Sequence, residues 1–117
     1  MRHRNTKATL NRPVDQRKAL IRSLITALFL SGKVKTTDAK ARALVSEVEK
    51  LITRVRGKES MNAIRDLKKI IYTEASSKKA LEYTQKTNKN SGFTRITKVG
   101  HRAGDNALMM QVELISE

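Results

Sequence analysis

The sequence predicts an α+β fold in which three to four helices pack on a small three-stranded sheet, with an extended basic arm at the N-terminus. Two observations lead to this prediction. Apolar residues recur at helical spacing between residues 15 and 84, and the spacing changes to an alternation near the C-terminus. A chain of 117 residues is also long enough for one domain with one modest core.

The arm is predicted for residues 1–12, ahead of a single domain at residues 13–117. The arm segment shows no helical or strand period, and Leu10 is its only large apolar side chain after Met1. The segment contains four Arg or Lys residues and His3, and it contains no Asp or Glu. A disordered tail is the alternative interpretation, although a tail requires no particular charge. We expect the arm to lack tertiary contacts in the free protein and to become ordered on a polyanion.

The first helix is predicted to begin after Pro13 and to end before Gly32, because proline favours helix starts and glycine favours helix ends. Lys18, Arg22 and Thr26 follow one another at four-residue spacing, which predicts a basic ridge facing water. The predicted buried stripe consists of Leu20, Ile21, Leu24, Ile25, Ala27 and Leu28.

A short strand around Val34, with that side chain facing the core, and a second helix at residues 38–56 are predicted next. Thr37 is expected to cap this helix, and Gly57 to end it. Its predicted buried face consists of Ala41, Leu44, Val45, Val48, Leu51, Ile52 and Val55. The first two helices are expected to pack on each other through Leu24, Leu28, Leu44, Val48 and Leu51.

Two weaker helices and a hairpin complete the predicted fold. Ser60 is expected to cap the third helix, and Ser76 or Ser77 the fourth. Stretches rich in β-branched or alternating apolar residues, at 93–99 and 108–115, predict a β-hairpin around a glycine-containing loop. Together with the first strand, this hairpin would form the three-stranded sheet.

Positive charge dominates the composition. The chain holds 25 Lys and Arg against 11 Asp and Glu, which gives a net charge of +14. Residues 1–37 carry nine of these bases and one acid, whereas residues 38–90 carry thirteen bases and seven acids. Such an excess repels itself until a polyanion supplies the opposite charge, so the composition predicts nucleic acid as the partner. An anionic membrane surface is a second alternative.

The composition also argues against several classes of protein. The chain has no cysteine, which excludes disulfides and thiolate metal sites. Its two histidines are too few for a zinc site without carboxylate ligands, and the longest apolar stretch, Leu24–Leu30, is far too short to span a membrane. No apolar segment follows the basic N-terminus directly, so no signal peptide is expected. We expect no cofactor and no small-molecule substrate.

One polar cluster contains several chemical types, since His101, Arg102, Asp105 and Asn106 lie close together in the sequence. A His and Asp pair can perform acid–base chemistry. This cluster falls in a predicted turn, however, where Asp and Asn usually bond to the local backbone, and no activated nucleophile accompanies it. We therefore expect that the protein is not an enzyme.

Basic residues are spread over the arm, a helix ridge, a strand and the hairpin. Because Lys and Arg bind phosphates, this distribution is typical of a surface that follows folded RNA by its shape. The four aromatic residues are too few for a base-stacking platform. The candidate RNA-binding residues are Arg2, His3, Arg4, Lys7, Arg12, Arg17, Lys18, Arg22, Lys33, Lys35, Arg95, Lys98, His101 and Arg102.

Both ends of the chain carry motifs of one known family. Met1–Arg4 (MRHR) with Leu10–Arg12 (LNR), and later Gly92–Ile96 (GFTRI) with Arg102–Ala107 (RAGDNA), resemble the bacterial large-subunit ribosomal protein L17 family. The resemblance covers essentially the whole chain. It implies a structural constituent of the cytoplasmic large ribosomal subunit that binds large-subunit ribosomal RNA and contacts neighbouring large-subunit ribosomal proteins. On charge alone, a DNA-compacting protein is the alternative.

Overall fold

The computed structural model describes residues 8–87 and 89–115. Within these ranges the chain forms four helices and three strands, which confirms the predicted α+β class. The elements, in chain order, are α1 (Val14–Ser31), β1 (Lys33–Thr37), α2 (Asp38–Val55), α3 (Ser60–Lys68), α4 (Glu74–Lys86), β2 (Thr94–His101) and β3 (Leu108–Leu114).

The three strands form one antiparallel sheet in the order β1-β3-β2. β3 is therefore the central strand, and Val112 lies opposite Val34 on one side and Ile96 on the other. The β2–β3 pairing shifts register between Lys98 and Gly100, where a bulge leaves the intervening residue without a partner. The predicted hairpin and its union with the first strand are both confirmed.

The core lies between the four helices and the inner face of the sheet. Leu28, Leu44 and Val48 are completely buried and Leu51 is nearly so, which confirms the predicted packing of the first two helices. Leu24 is only partly buried and packs against the edge of the core. The central strand contributes Met110 and Val112 to the same cluster, and the buried Phe93, just before β2, also belongs to it.

The buried face of α1 is rotated from the prediction. Thr26, expected on the wet ridge, is buried, whereas Ala27, expected in the core stripe, is exposed. The reason is that α4 and the connection before it also pack against α1. The Thr26 hydroxyl donates a hydrogen bond to the Arg22 carbonyl (2.8 Å) and accepts one from the Tyr72 amide (3.1 Å), so its burial costs no unpaired polar group.

The start of α4 also differs from the prediction. Thr73 is the N-cap, and its hydroxyl accepts a hydrogen bond from the Ser76 amide at 3.3 Å. Ser76 and Ser77, the predicted caps, lie inside the first turn and are buried. The Ser76 hydroxyl instead donates to the Thr26 carbonyl at 3.0 Å and joins α4 to α1.

Of the other predicted N-caps, Thr37 is at the predicted position, whereas the prediction of Ser60 is wrong by one residue. Thr37 precedes α2, yet its side chain makes no capping hydrogen bond. Ser60 is the first helical residue of α3, after Glu59 as N-cap. Gly32 ends α1 as predicted, in the left-handed conformation (φ 83°) that glycine adopts without strain, and its amide donates to the Leu28 carbonyl at 2.7 Å.

Two polar side chains hold β2 against the helices. One carboxylate oxygen of Glu49, on α2, accepts hydrogen bonds from the Phe93 amide (2.9 Å), the Thr94 amide (3.1 Å) and the Thr94 hydroxyl (3.0 Å). The Tyr83 hydroxyl, on α4, contacts the carbonyls of Phe93 (3.1 Å) and Ile115 (2.7 Å). Burial raises the pKa of Tyr83, so its hydroxyl remains a donor in neutral solution.

Candidate RNA-binding surface

A groove runs between α1 and α2, and Ile70 lies at its α3 end. Its apolar lining includes Ile21 and Ile25, while six basic side chains and two acids, Asp38 and Glu47, surround it. The bases therefore exceed the acids by four. The basic residues that line the groove are Arg17, Lys18, Arg22, Arg42, Lys50 and Lys69.

Three of these bases, on α1, were predicted from the sequence. Lys18 is exposed, while Arg17 and Arg22 are half-buried. Arg22 is held by the protein itself, because its Nε donates to the Ile70 carbonyl at 2.9 Å and its guanidinium carbon lies 4.2 Å from the centre of the Tyr72 ring. Its terminal nitrogens have no partner among the residues that the structure describes.

The other three groove bases were missed, because each has an acid nearby in the sequence. On α2, Arg42 contacts Asp38 at 3.1 Å and Lys50 lies 3.9 Å from Glu47. At the end of α3, Lys69 lies 3.8 Å from Asp66. Such exposed pairs contribute little stability, so a phosphate can compete for these bases. The eight-residue spacing of the two α2 bases, which places them on one helix face, was the signal available in the sequence.

The outer face of the sheet forms a second basic surface. Directly paired residues point to the same face of an antiparallel sheet, so the register places Lys33 and Arg95 on either side of Glu113. The next row contains Lys35 beside Gln111. Arg95 is 3.3 Å from the Glu113 carboxylate, whereas neither lysine has an acidic partner within the described ranges.

The remaining predicted residues of the hairpin lie elsewhere. Lys98 is paired with Met110, a core residue, so it stands on the inner face of the sheet beyond the cover of the helices and is exposed. His101 and Arg102 lie at the exposed loop that follows. The structure therefore does not unite all hairpin bases on one surface.

The β2–β3 loop is closed by its own charges. Two nitrogens of Arg102 donate to the Asp105 carboxylate at 2.9 and 2.6 Å. With the Ala107 amide as a second donor, this contact lowers the pKa of Asp105 to about 2. His101 contacts the Asn106 carbonyl at 3.1 Å instead of the carboxylate. The loop therefore contains a structural ion pair and no His–Asp pair for acid–base chemistry.

The arm is described only from residue 8. The candidate residues Arg2, His3, Arg4 and Lys7 lie outside the described residues. Arg12 is exposed in a turn closed by its own amide and the Thr9 carbonyl at 3.1 Å. Leu10 is half-buried and lines one end of the groove, so the end of the predicted arm lies against the domain.

Comparison with known proteins identifies the family. The family model described as ribosomal protein L17 matches residues 20–115. The chain belongs to the ribosomal protein L17 family. This membership confirms the resemblance carried by the terminal motifs, and it confirms that the chain is a ribosomal protein rather than an enzyme.

Relatives named large ribosomal subunit protein bL17 align with the chain from end to end. One from Chloroflexus aurantiacus is 42% identical over 117 residues, covering 98% of this chain and 100% of the relative. One from Gemmatimonas aurantiaca is 40% identical and covers 98% of each chain. One from Desulforapulum autotrophicum is 38% identical and covers 100% of this chain and 98% of the relative.

Other kinds of site find little support in the described part of this L17 family member. Within residues 8–87 and 89–115, no three His, Cys, Asp or Glu side chains are grouped so that they could hold a metal ion. No helix in the same ranges is long and apolar enough to cross a membrane.

Proposed function

We propose that this protein is a structural constituent of the large ribosomal subunit that binds large-subunit ribosomal RNA through its basic arm and basic surfaces. Family membership and end-to-end similarity to proteins named for the large subunit support this assignment. The net charge of +14 supports RNA as the ligand, because a polyanion relieves the repulsion between so many bases.

The observation that carries the RNA assignment is that six of the bases predicted from the sequence are exposed or half-exposed and have neither an acidic partner nor another side-chain hydrogen bond in the described chain. They stand on the end of the arm, on α1 and on the sheet, and they are Arg12, Arg17, Lys18, Lys33, Lys35 and Lys98. Unpaired bases on several elements suit phosphates that follow a folded RNA over its surface.

The proposed contact set keeps the fourteen residues predicted from the sequence and adds three from the groove. Arg95 and Arg102 belong to it with a smaller contribution, because each already contacts a carboxylate. The groove contributes Arg42, Lys50 and Lys69. The remaining surface would face neighbouring large-subunit ribosomal proteins, and neither a membrane nor a small-molecule substrate is part of the proposal.

Binding to large-subunit ribosomal RNA fragments, measured against duplex DNA of equal length at one fixed salt concentration, tests this function. We expect at least one RNA fragment to bind clearly more tightly than the DNA, because the surface matches the shape of a folded RNA. Equal affinity for RNA and DNA would support the DNA-compacting alternative instead. Co-sedimentation of the full chain with large subunits at high salt is the companion measurement.

A further inference from the structure

Tyr72 is an exposed aromatic side chain on a strongly basic surface. It lies in the connection between α3 and α4, and 52% of the residue is accessible to solvent. Its hydroxyl has no hydrogen-bond partner among the described residues. The ring lies outside the core and is accessible to a ligand.

The ring is held in place, although it is exposed. The Tyr72 amide donates to the buried Thr26 hydroxyl at 3.1 Å. The preceding residue, Ile71, is buried in the core, and the following one, Thr73, caps α4. The backbone that carries the ring is therefore anchored before, at and after this residue, which lowers the entropy lost when a ligand stacks on it.

Arg22 covers one face of the ring. Its guanidinium carbon lies 4.2 Å from the ring centre, and its Nε is fixed by the Ile70 carbonyl at 2.9 Å. Its terminal nitrogens have no partner in the described chain and point away from that anchored atom. A planar ring beside a guanidinium with free donors matches one nucleotide, which has a flat base and a charged phosphate.

The charges around Tyr72 favour a nucleic acid over an apolar protein segment. Arg22 lines the groove between α1 and α2 together with Lys18 and Lys69, and all three bear positive charge. An RNA backbone that follows this groove would bring its phosphates to these side chains. A single unpaired base could then lie on the open side of the Tyr72 ring.

We propose that Tyr72 and Arg22 form a site for one unpaired nucleotide of the bound RNA, with the base stacked on the tyrosine ring and the phosphate bound by Arg22 and Lys69. This inference rests on the proposed RNA-binding function and adds a base contact to it. The sequence alone argued against base stacking because aromatics are few. One anchored ring is enough for one base.

The first test uses the large-subunit ribosomal RNA fragment that binds the full chain most tightly. Replacing the ring by Tyr72→Ala should weaken binding roughly five- to 150-fold, since a stacked base contributes about 1–3 kcal/mol, and should leave the salt slope unchanged. Tyr72→Phe should bind within about twofold of the wild type, because stacking uses the ring and not the hydroxyl. Lys69→Ala should instead reduce the slope by about 0.7–0.9.

A second measurement reports on the ring directly. The chain has two tyrosines and no tryptophan, so a Tyr83→Phe chain emits only from Tyr72, and a Tyr72→Phe chain only from Tyr83. We expect the RNA fragment to quench the first chain and to leave the second unchanged after correction for absorption. Met61→Ala, which removes another exposed side chain, is the matched control and should not change affinity.

Several outcomes would overturn the site. Equal quenching of the two single-tyrosine chains would show that no base stacks on Tyr72. A Tyr72→Ala chain that loses both affinity and salt slope would show that the ring only positions Arg22. If the Tyr72→Ala chain binds RNA normally but does not assemble into the large subunit, the ring contacts a protein neighbour and not a base. If no RNA fragment binds better than duplex DNA, the proposed function fails before this site is tested.

Discussion

Arg102 and Asp105 show how a charge that looks available in the sequence can be committed to the fold. The two side chains form a two-point contact within one exposed loop. Sequence reasoning assigned Arg102 to the RNA and considered Asp105 for catalysis, because charge and proximity along the chain do not specify side-chain partners. In the structure the two side chains bind each other, so this contact must break before Arg102 can bind a phosphate fully or Asp105 can act as a base.

The titration of Asp105 checks this contact. Its pKa is lowered from 3.8 to about 2, chiefly by the hydrogen bonds from Arg102 and then by the Ala107 amide. A depressed folded-state pKa means that the contact stabilises the loop above about pH 3.8 and that this stabilisation is lost as the pH falls through about 2.

Carboxyl-carbon NMR shifts across an acid titration would measure this pKa. Arg102→Ala should raise the value toward 3.8 without reaching it, since the Ala107 amide still donates to the carboxylate. Arg95→Ala, which breaks a different exposed pair, serves as the control and should leave Asp105 where it is. A carboxylate that titrates near 3.8 in the wild type would contradict the loop contact.

Thr26 illustrates what helical spacing cannot predict. Thr26 does follow Lys18 and Arg22 at four-residue spacing on α1. Which side of the helix is exposed to water, however, depends on every element that packs against it. Here α4 and its preceding turn cover Thr26, and its hydroxyl satisfies the Tyr72 amide there. A β-branched polar residue fits either environment, so the choice is made by tertiary packing.

At the level of elements, α2 is joined to β2 by a single carboxylate. Glu49 accepts three hydrogen bonds at the point where the chain enters the strand, and two of the donors are backbone amides. Without it these amides would lose their acceptor as the strand begins. Glu49 therefore fixes where β2 starts relative to the helix.

Replacing Glu49 by Ala should lower the free energy of unfolding by about 1.5–3 kcal/mol, as expected for hydrogen bonds to a charged acceptor. Glu47→Ala is the matched control on the same helix, because the one ion pair of Glu47 within the described ranges is with the exposed Lys50 at 3.9 Å. This variant should stay within about 0.5 kcal/mol of the wild type. Urea unfolding of both variants measures the difference. Equal losses would mean that the three contacts do not stabilise the strand.

For the whole molecule, the distribution of charge predicts how RNA binding divides between regions. Residues 1–37 hold nine bases against one acid, while the acids of residues 38–90 offset about half of the thirteen bases there. The structure supports this contrast, since Arg42, Lys58 and Lys78 each contact an acid. The less compensated N-terminal bases should therefore carry more of the binding.

Filter binding to the best large-subunit RNA fragment across a salt series measures this division. Replacing the four arm bases by Ala should flatten the log–log salt slope by up to roughly three units, at about 0.7–0.9 per phosphate contact. These four bases are Arg2, Arg4, Lys7 and Arg12.

The matched control replaces four exposed bases of α2, α3 and α4 that lie outside the groove and off the sheet, and it should flatten the slope by less. These bases are Arg54, Arg65, Lys78 and Lys86. Arg56 is left intact because it bonds to the Lys89 carbonyl and the Asn90 side chain, so its loss would disturb the loop before β2. A larger change from the control set would contradict the arm-first division.

The fold could be predicted closely because apolar periodicity and glycine positions report on each element separately. The site was predicted less completely, because the groove is formed by side chains from elements distant in the chain. Lys50 looked like a solvated partner of Glu47, and Lys69 gave no signal of its own. Only packing brings both to the same groove as Arg22.

The position of β3 has a consequence for how the molecule is made. β3 follows every other helix and strand that the structure describes, yet it is the strand that pairs with both β1 and β2. A chain emerging from its N-terminus during synthesis can form its helices early, but β1 has no partner until residues 108–114 have been added. β1 and β2 therefore remain unpaired until β3 has been made, and the whole sheet forms in one late step.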